Sequence, residues 1–486
     1  MTTELFRRAL AGCAALLLAG TPVASAQQIT LQQAIALAQQ QGYQAKAAEA
    51  GREAARYRDQ AFYSRLLPQV SLSGTLPDYN RSIIPVLQPD GSTVFRSQNQ
   101  TGGALTATVS QPIPVTGGDF FVSSSLASLR VSGEGDTRTW SSTPISVGLR
   151  QPVFQPNTVN WDRREQPVRH EVSERVYREA REDIALETAA LFYDVYAAQV
   201  QVRNAAKNAA TNDTIFTLNK GRYEVGRIGE NDLLQSELAL LRARNTLDGS
   251  RLEFQRNLAA LRLALNLPEG TPLEIDTSLV IPAFEADTAM AVVQALRNRA
   301  NISEAELLEV QADRRVTEAK LNNGFNATIT ASYGLNNTAP EASLAYKNLL
   351  EAQSFAVAVE VPLLQWGSRK ESVRAAEAER ERIANISRST IEQTRQEAHF
   401  AALQLAQARR ALELSITADS VAGKRFEVAY NRYVIGRITI DNLFIAQNEK
   451  DQARNQFVQS LRNYWQAHYR LRRVTLFDFE TGRAIE

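Results

Sequence analysis

The apolar positions of this chain follow two periods, and the changeovers are sharp. From Thr30 to Leu67 apolar residues recur at helical spacing, as at Leu31, Ala34, Ile35 and Ala38, with Gln, Glu and Arg between them. At Leu67-Pro68 the period drops to two. Val70, Leu72, Gly74 and Leu76 alternate with Ser71, Ser73 and Thr75, which predicts a strand with one apolar and one small polar face. Asp78 to Gly103 is rich in Pro, Asn, Gln, Ser and Gly and predicts a long exposed loop. Leu105, Ala107 and Val109 then alternate with Thr106, Thr108 and Ser110 until Pro112, Pro114 and Gly117-Gly118 break the chain. Phe120 to Val131 predicts a third strand and Ser132 to Ser142 a polar loop. Ile145, Val147 and Leu149 predict a fourth strand, which ends at Gln151-Pro152.

Helical spacing returns from about Asn157 to Arg222, with one early proline, Pro167. At ~1.5 Å per residue such a helix spans roughly 90 Å, more than a compact domain needs. Asn231 to Leu267 predicts a helix of roughly 55 Å, ended by Pro268-Glu-Gly-Thr-Pro272. Thr288 to Asn322 predicts another. Two shorter helices end to end match the long one beside them, as an elongated bundle requires. Two more strands follow. Ala327, Ile329, Ala331 and Tyr333 alternate with Thr and Ser, and Phe355, Val357, Val359 and Val361 alternate with Ala356, Ala358 and Glu360. Gln365-Trp-Gly-Ser-Arg369 opens a second long helix to about Arg432, and a last helix runs to about Arg473.

The second half repeats the first. Arg222-Tyr-Glu-Val-Gly-Arg-Ile-Gly-Glu-Asn-Asp-Leu-Leu234 returns as Arg432-Tyr-Val-Ile-Gly-Arg-Ile-Thr-Ile-Asp-Asn-Leu-Phe444, 210 positions later. Ala243-Arg-Asn245 and Leu261-Arg262 recur at the same offset, as does Pro152 at Pro362. A duplication of this length describes the whole fold. It divides the chain into a leader (1–26), a first repeat (27–267), a linker (268–287), a second repeat (288–477) and a short tail (478–486). The β section of the first repeat, Pro68 to Pro152, is longer than that of the second, Gly324 to Pro362, by about 46 residues, enough for one more hairpin. The expectation is four strands in the first half and two in the second.

Composition narrows the setting. The 54 basic and 53 acidic residues nearly cancel, so nothing electrostatic points to nucleic acid. Arg7 and Arg8, an apolar run from Ala9 to Gly20, and Ala24-Ser-Ala26 form a secretory leader with cleavage expected near Ala26. Leu10-Ala-Gly-Cys13 resembles a lipoprotein cleavage site, but the apolar run lies mostly after Cys13. Cys13 is the only cysteine. Once the leader is removed the chain has no thiol, disulfide or thiolate metal site. No later run reaches the 18 apolar residues of a membrane helix. A soluble exported protein and a membrane β-barrel remain, and the barrel signal per strand is weak. His170, His399 and His468 lack metal-ligand spacing. The carboxylates lie among arginines on helical faces, as in Arg178-Glu-Ala-Arg-Glu-Asp183 and Glu377-Ala-Glu-Arg-Glu-Arg382. No nucleophile elbow, phosphate loop or calcium loop is visible. These observations predict no enzyme activity and no cofactor.

The order and duplication of these features resemble the TolC-like outer-membrane efflux proteins. The features that carry the resemblance are the repeated helix, strand pair and long helix, the Val361-Pro-Leu-Leu-Gln-Trp-Gly-Ser-Arg369 junction, and the Tyr-x-x-Gly reversal followed by Asp or Asn and Leu. The resemblance spans about Ile29 to Phe477. It implies a mostly α fold with a membrane β-barrel section: a trimeric β-barrel in outer-membrane lipid and a long α-helical periplasmic barrel. The expected function is a channel-tunnel for efflux or type I secretion. Its expected partners are two further copies of the chain, a periplasmic membrane-fusion adaptor and an inner-membrane pump of RND, ABC or MFS type. The family's usual four strands per protomer give twelve, whereas six give eighteen unless the extra hairpin, near residues 104 to 131, packs elsewhere. The alternative is a periplasmic coiled-coil adaptor or structural protein without a pore.

Gly226 and Gly436 fit helix C-terminal positions that need left-handed backbone. Thr439 fits an N-cap with Asn442 three positions on, and Gly229 with Asp232 is the weaker counterpart. The resemblance places these turns at the periplasmic tip. It makes Arg222, Tyr223, Gly226, Arg227, Arg432, Tyr433, Gly436 and Arg437 candidates for adaptor contact or gate bracing. It also implies an acidic constriction six residues after the turn glycine. That position is Asp232 in the first repeat but Asn442 in the second, and the next acidic position is Ile445. Asp441 lies one residue away, about 100° around the helix. Trp140, Trp161 and Trp366, near the strand-to-helix junctions or before a strand, are candidate membrane-interface anchors. Trp465 reads as helix packing.

Overall fold

The computed structural model describes residues 27–132, 136–276, 281–282 and 284–485. The leader, with Cys13 and the cleavage near Ala26, lies outside the described residues, as do 133–135 and parts of the 268–287 linker. The elements, in order, are β1 (Gln27–Ile29), α1 (Leu31–Gln41), α2 (Tyr43–Arg65), β2 (Gln69–Leu87), β3 (Thr93–Ile113), β4 (Gly118–Ser132), β5 (Thr137–Val153), α3 (Thr158–Glu224) and α4 (Glu230–Ala264). They continue with β6 (Leu273–Ile275), α5 (Thr288–Asn298), α6 (Ala300–Asn322), β7 (Asn326–Ala339), β8 (Leu350–Glu360), α7 (Ser368–Val434) and α8 (Ile440–Thr475).

The helix lengths recur. α1 and α5 have 11 residues each, α2 and α6 have 23, and α3 and α7 have 67. α1 and α5 start 257 positions apart, as do α2 and α6, while α3 and α7 start 210 apart. The 47 residues between these two offsets are therefore gained in the β section alone.

Three expectations need correction. The helices at Thr30–Leu67 and Thr288–Asn322 are each broken in two. Gly42 turns extended after α1, where an added Cβ would come within 2.5 Å of the Ala38 carbonyl and 3.0 Å of the Ala264 carbonyl. Arg299 makes the matching break before α6. The loop expected over Asp78–Gly103 is instead a hairpin, paired from Asp78↔Gly102 to Leu87↔Thr93 and closed over Gln88–Ser92. Asp90 holds that turn by accepting from the Ser92 amide and hydroxyl. A ladder needs only backbone, so a polar segment extends it once its register is set by the apolar residues below. Third, β5 begins at Thr137, inside the expected loop, and Trp140 lies within the strand rather than before it.

The chain divides into two compact units, each described by itself. One comprises Gly51–Val176 and Arg299–Gln393. It holds a six-stranded antiparallel sheet in the order β2-β3-β4-β5-β7-β8. Its helical parts carry charged networks: Arg314 bonds Asp162 (2.7 Å), buried Glu165 (2.9 Å) and Glu318 (2.7 Å), and Lys320 pairs with Glu377. The other unit comprises the described parts of Met1–Ala50, Tyr177–Asn298 and Thr394–Glu486. There β1 and β6 pair in parallel. Thr30 caps α1 through a capping box with Gln33, each bonding the other's backbone amide. Many of its core positions are alanine, such as Ala34, Ala189, Ala291 and Ala398, which lets helix backbones approach closely. Trp465 stacks on Tyr193 and Tyr469 and meets the His468 ring edge-on. Burial, helped by the Arg472 cation, pushes the His468 pKa down to about 4. Arg472 also bonds Glu182, which is almost wholly buried, and Asp478.

Candidate functional site

Across the sheet, directly opposed residues form rows on one face. Ser71, Thr108, Ser123, Ser146, Gly334 and Ala352 make one row through all six strands. The row beside it on the other face is Val70, Val109, Val122, Val147, Tyr333 and Gln353. The next begins at Phe120 and runs through Leu149 and Ala331 to Phe355. Along these rows the two-faced alternation stays in phase over every strand junction; the register shifts between Thr75 and Asp78, Ser123 and Ser125, and Ser142 and Ile145 lie beyond them. Val70, Phe120, Tyr333 and Phe355 are 76%, 42%, 52% and 72% exposed, whereas Thr106, Thr108 and Ser110 on the other face are half-buried. A water-soluble sheet puts its apolar face on a core. This one turns its apolar face outward and small hydroxyl-bearing residues the other way, the pattern of a strand wall between lipid and water. Phe121 is a large residue on the small polar face. Its ring lies over Gly148, where an added Cβ would be 2.3 Å from Cζ.

The tryptophans flank this surface. Trp140 sits in β5, opposite Ser128 and Ala339, with the Arg138 guanidinium 4.8 Å from its ring centroid. Trp161 lies in the first turn of α3 under Arg164. Trp366, 89% exposed and at φ 50°, precedes α7 beside exposed Leu363 and Leu364. Sequence reasoning passed over Asn157, which organises the same end of the sheet. Its Oδ1 accepts from the Asn160 amide at the start of α3, and its Nδ2 donates to the carbonyls of Pro114 and Val115 in the β3–β4 turn. An Asn just before a helical run is an N-cap signal, but nothing in the sequence announces its second task.

In the other unit the two duplicated turns pack on one another. Both are Schellman motifs. Gly226 (φ 70°) donates to the Tyr223 carbonyl and Arg227 to that of Arg222, both at 2.8 Å. Gly436 (φ 75°) and Arg437 repeat this with Tyr433 and Arg432 at 2.9 Å. The side chains then part company. Tyr433 is buried with Ile215, Ile440 and Leu443, and its hydroxyl donates to Asn219 Oδ1 at 2.7 Å. Arg222 lies over the Tyr433 ring and donates to the Val434 carbonyl at 3.0 Å. Tyr223 is exposed. Tyr433 is therefore not the exposed residue expected of a contact: it is buried between the two turns, tied to Asn219 and Arg222. Asn219 was not anticipated, and a single polar residue on a helix gave no signal for it.

Thr439 is the N-cap of α8, but its hydroxyl accepts from the Asn442 side chain rather than from a backbone amide. Gly229 caps α4. Asp441 accepts from Gln235 Nε2 at 2.8 Å. Asn442 is exposed and Ile445 half-exposed, while Asp232 is half-buried. Among the described residues no group of three or more His, Cys, Asp or Glu is placed to hold a metal. No described helix is long and apolar enough to cross a membrane.

Comparison with known proteins gives two results. Residues 119–267 match the outer membrane efflux protein family. The fold resembles the crystal structure of the Campylobacter jejuni CmeC outer membrane channel (15% identity, TM-score 0.67, covering 94% of this chain and 86% of that one). It also resembles the outer membrane protein VceC of Vibrio cholerae (14%, TM-score 0.67, 94% and 97%) and a membrane protein from Pseudomonas aeruginosa (16%, TM-score 0.68, 94% and 92%). No curated protein matches the sequence. The resemblance to TolC-like outer-membrane efflux proteins is borne out by the family match and by the fold together.

Proposed function

We propose that this chain, whose residues 119–267 are an outer membrane efflux protein domain on a TolC-like fold, is the outer-membrane channel-tunnel of an efflux or type I secretion system. Three copies share one barrel in the outer membrane, and the helices form the periplasmic part, after removal of the leader near Ala26. An adaptor and an inner-membrane pump deliver the substrate to its periplasmic end. The observation that carries this reading is the in-phase, inverted sheet: apolar residues outward, Ser, Thr, Ala and Gly on the other face, through six strands. An adaptor or structural protein without a pore has no use for such a sheet. Backbone in lipid must be fully paired, which requires a closed barrel, and six strands per copy leave that closure to neighbours.

Within this reading the duplicated turns are the periplasmic mouth. Exposed Tyr223, Arg227, Arg432 and Arg437 are adaptor contacts. Arg222 and Tyr433 brace the mouth, which opens like an iris. Asp232, Asp441, Asn442 and Ile445 line the constriction. With Asn442 and Ile445 in place of carboxylates, cations block it weakly or not at all. Trp140, Trp161 and Trp366 anchor the barrel at the lipid interfaces. The two repeats, 27–267 and 288–477, each supply one turn.

The test is electrical and biochemical. Purified protein in planar bilayers is expected to give discrete single-channel conductance and to run as a heat-sensitive trimer on gels. Recovery wholly in the soluble periplasmic fraction, with no conductance, would overturn the proposal. An engineered disulfide locking Arg432–Phe444 to its neighbour should stop export, and undiminished export with the crosslink formed would count against the iris.

A further inference from the structure

We infer that the extra hairpin stays in the barrel wall, so that three copies close eighteen strands and give a wider exit than a twelve-stranded wall. This inference rests on the channel reading and adds the calibre of the pore and the size class of its cargo.

The 47 residues gained in the first half fall between α2 and α3, and there the sheet carries β3 and β4 between β2 and β5. Both strands are paired along both edges, β3 with β4 from Asn99 to Ile113 and β4 with β5 from Asp119 to Val131. They also carry the two-faced rows nearest the helices: Thr108 and Ser123 on the small face, Val109 and Val122 on the apolar face, up to the register shift between Ser123 and Ser125. A plug or an external flap would have no reason to keep that phase. The hairpin's own turn is fastened where the strands meet the helices. Asn157 bonds Pro114 and Val115, Gln151 Nε2 bonds the Thr116 carbonyl at 3.0 Å, and Gln111 Nε2 bonds the Leu66 carbonyl at 2.7 Å. Gly117, at φ 77°, lets the turn lie against Asn157, where an added Cβ would be 2.9 Å from Cγ.

The outer edges of β2 and β8 have no strand partner among the described residues. Both edges are long, and Val70, Leu72, Phe355 and Val357 stand exposed along them. Proteins that remain monomeric blunt such edges. β2 runs away from the helix junction and β8 returns to it, so the β8 of one copy meets the β2 of the next antiparallel, and the ring closes as one antiparallel wall. The occupant of each edge is therefore a second copy of this chain. With strands about 4.8 Å apart and tilted about 40°, twelve strands give a backbone diameter of about 24 Å and eighteen about 36 Å. The small-face row Ser71, Thr108, Ser123, Ser146, Gly334 and Ala352 carries no side chain long enough to refill that bore and no charge. The exit accordingly suits bulky cargo, and of the charges this face does carry, Asp119 and Arg150 stand opposite one another.

The experiment compares polyethylene glycol exclusion from the external side of single channels. The mature chain is set against a variant lacking residues 89–135, which joins β2 to β5 at the tip. The expected cut-off radius is larger for the full chain by at least about 1.5-fold, the ratio of the backbone diameters, since the side chains narrow both bores by the same depth. Equal cut-offs would overturn the inference while leaving the channel intact, and loss of all conductance in the full chain would overturn both. If the deletion variant does not fold, cysteine pairs in the full chain decide. A Ser123→Cys, Ser146→Cys pair should crosslink within one chain, and Ser73→Cys with a cysteine scan over Ser354–Ala358 should give a covalent trimer. A crosslink between Ser71→Cys and Ser146→Cys within one chain would mean that β2 pairs directly with β5 and the hairpin has left the wall.

Discussion

Tyr223 and Tyr433 hold matching places in two turns of nearly the same sequence, and only Tyr433 is buried. The backbones agree to the hydrogen bond, because a helix ending in glycine has one economical way to satisfy its last carbonyls. The side chains differ because each turn meets a different neighbour. The first turn gives the second a guanidinium from Arg222 and a side-chain amide from Asn219. At the place of Asn219 the second repeat carries Ala429, which has no side-chain amide to return. Duplication preserved the local rule, and packing gave the copies unequal surroundings: the tyrosine of one turn is enclosed and that of the other is not.

The largest test of that inequality removes each tyrosine. Tyr433→Ala is expected to destabilise its turn by about 3 kcal/mol or more, seen as roughly 100-fold faster amide exchange over residues 426–444. Tyr223→Ala should stay within about 0.5 kcal/mol. Equal effects would break the comparison. Gly226→Ala and Gly436→Ala should instead cost the same, about 1–2 kcal/mol each, because both glycines are left-handed with open space around them. A large difference in thermal or protease susceptibility between the two would show that the backbones are not equivalent. Arg222→Ala should cost about 1 kcal/mol through its lost carbonyl bonds and ring contact, while Arg432→Ala should have little effect on local exchange. Tyr433→Phe removes only the bond to Asn219, and about 1 kcal/mol or less is expected.

Acidification should leave the comparison unchanged, since neither turn contains histidine. The folded state of the distant His468 site holds its imidazole neutral, with a pKa of about 4 against an ordinary 6.5. Its contribution is therefore fully present above about pH 6.5 and falls as pH drops toward 4, by on the order of 3 kcal/mol. His468→Gln should flatten that loss. Exchange at residues 215–225 and 426–444 should not follow it.

How much of this was legible in the sequence depended on whether side chains or backbone carried the structure. Val70, Val109, Ile145 and Phe355 advertised their strands by alternation. Gly226 and Gly436 advertised their turns by chemistry that glycine alone performs cheaply. Asp78–Gly103 did not, because a polar ribbon is held by backbone bonds that no side chain announces. The breaks at Gly42 and Arg299 were hidden in continuous helical spacing, and one of the two carbonyls that crowd Gly42 belongs to Ala264, far away in sequence. Burial of Tyr433 could not be told from exposure of Tyr223, because the motif around them is the same and the difference lies in Asn219 and Arg222 across the contact.

The even number of strands has a consequence of its own. Each strand carries the chain along the sheet once, so an odd addition would deliver α3 to the wrong end of it. Only a pair returns it to where α2 left off. The gained 47 residues are such a pair, and α3 and α7 kept equal lengths through the change. Parity therefore separates two properties of the protein. The sheet can grow by whole hairpins, changing its width in even steps, while the helices that follow inherit an unaltered starting point.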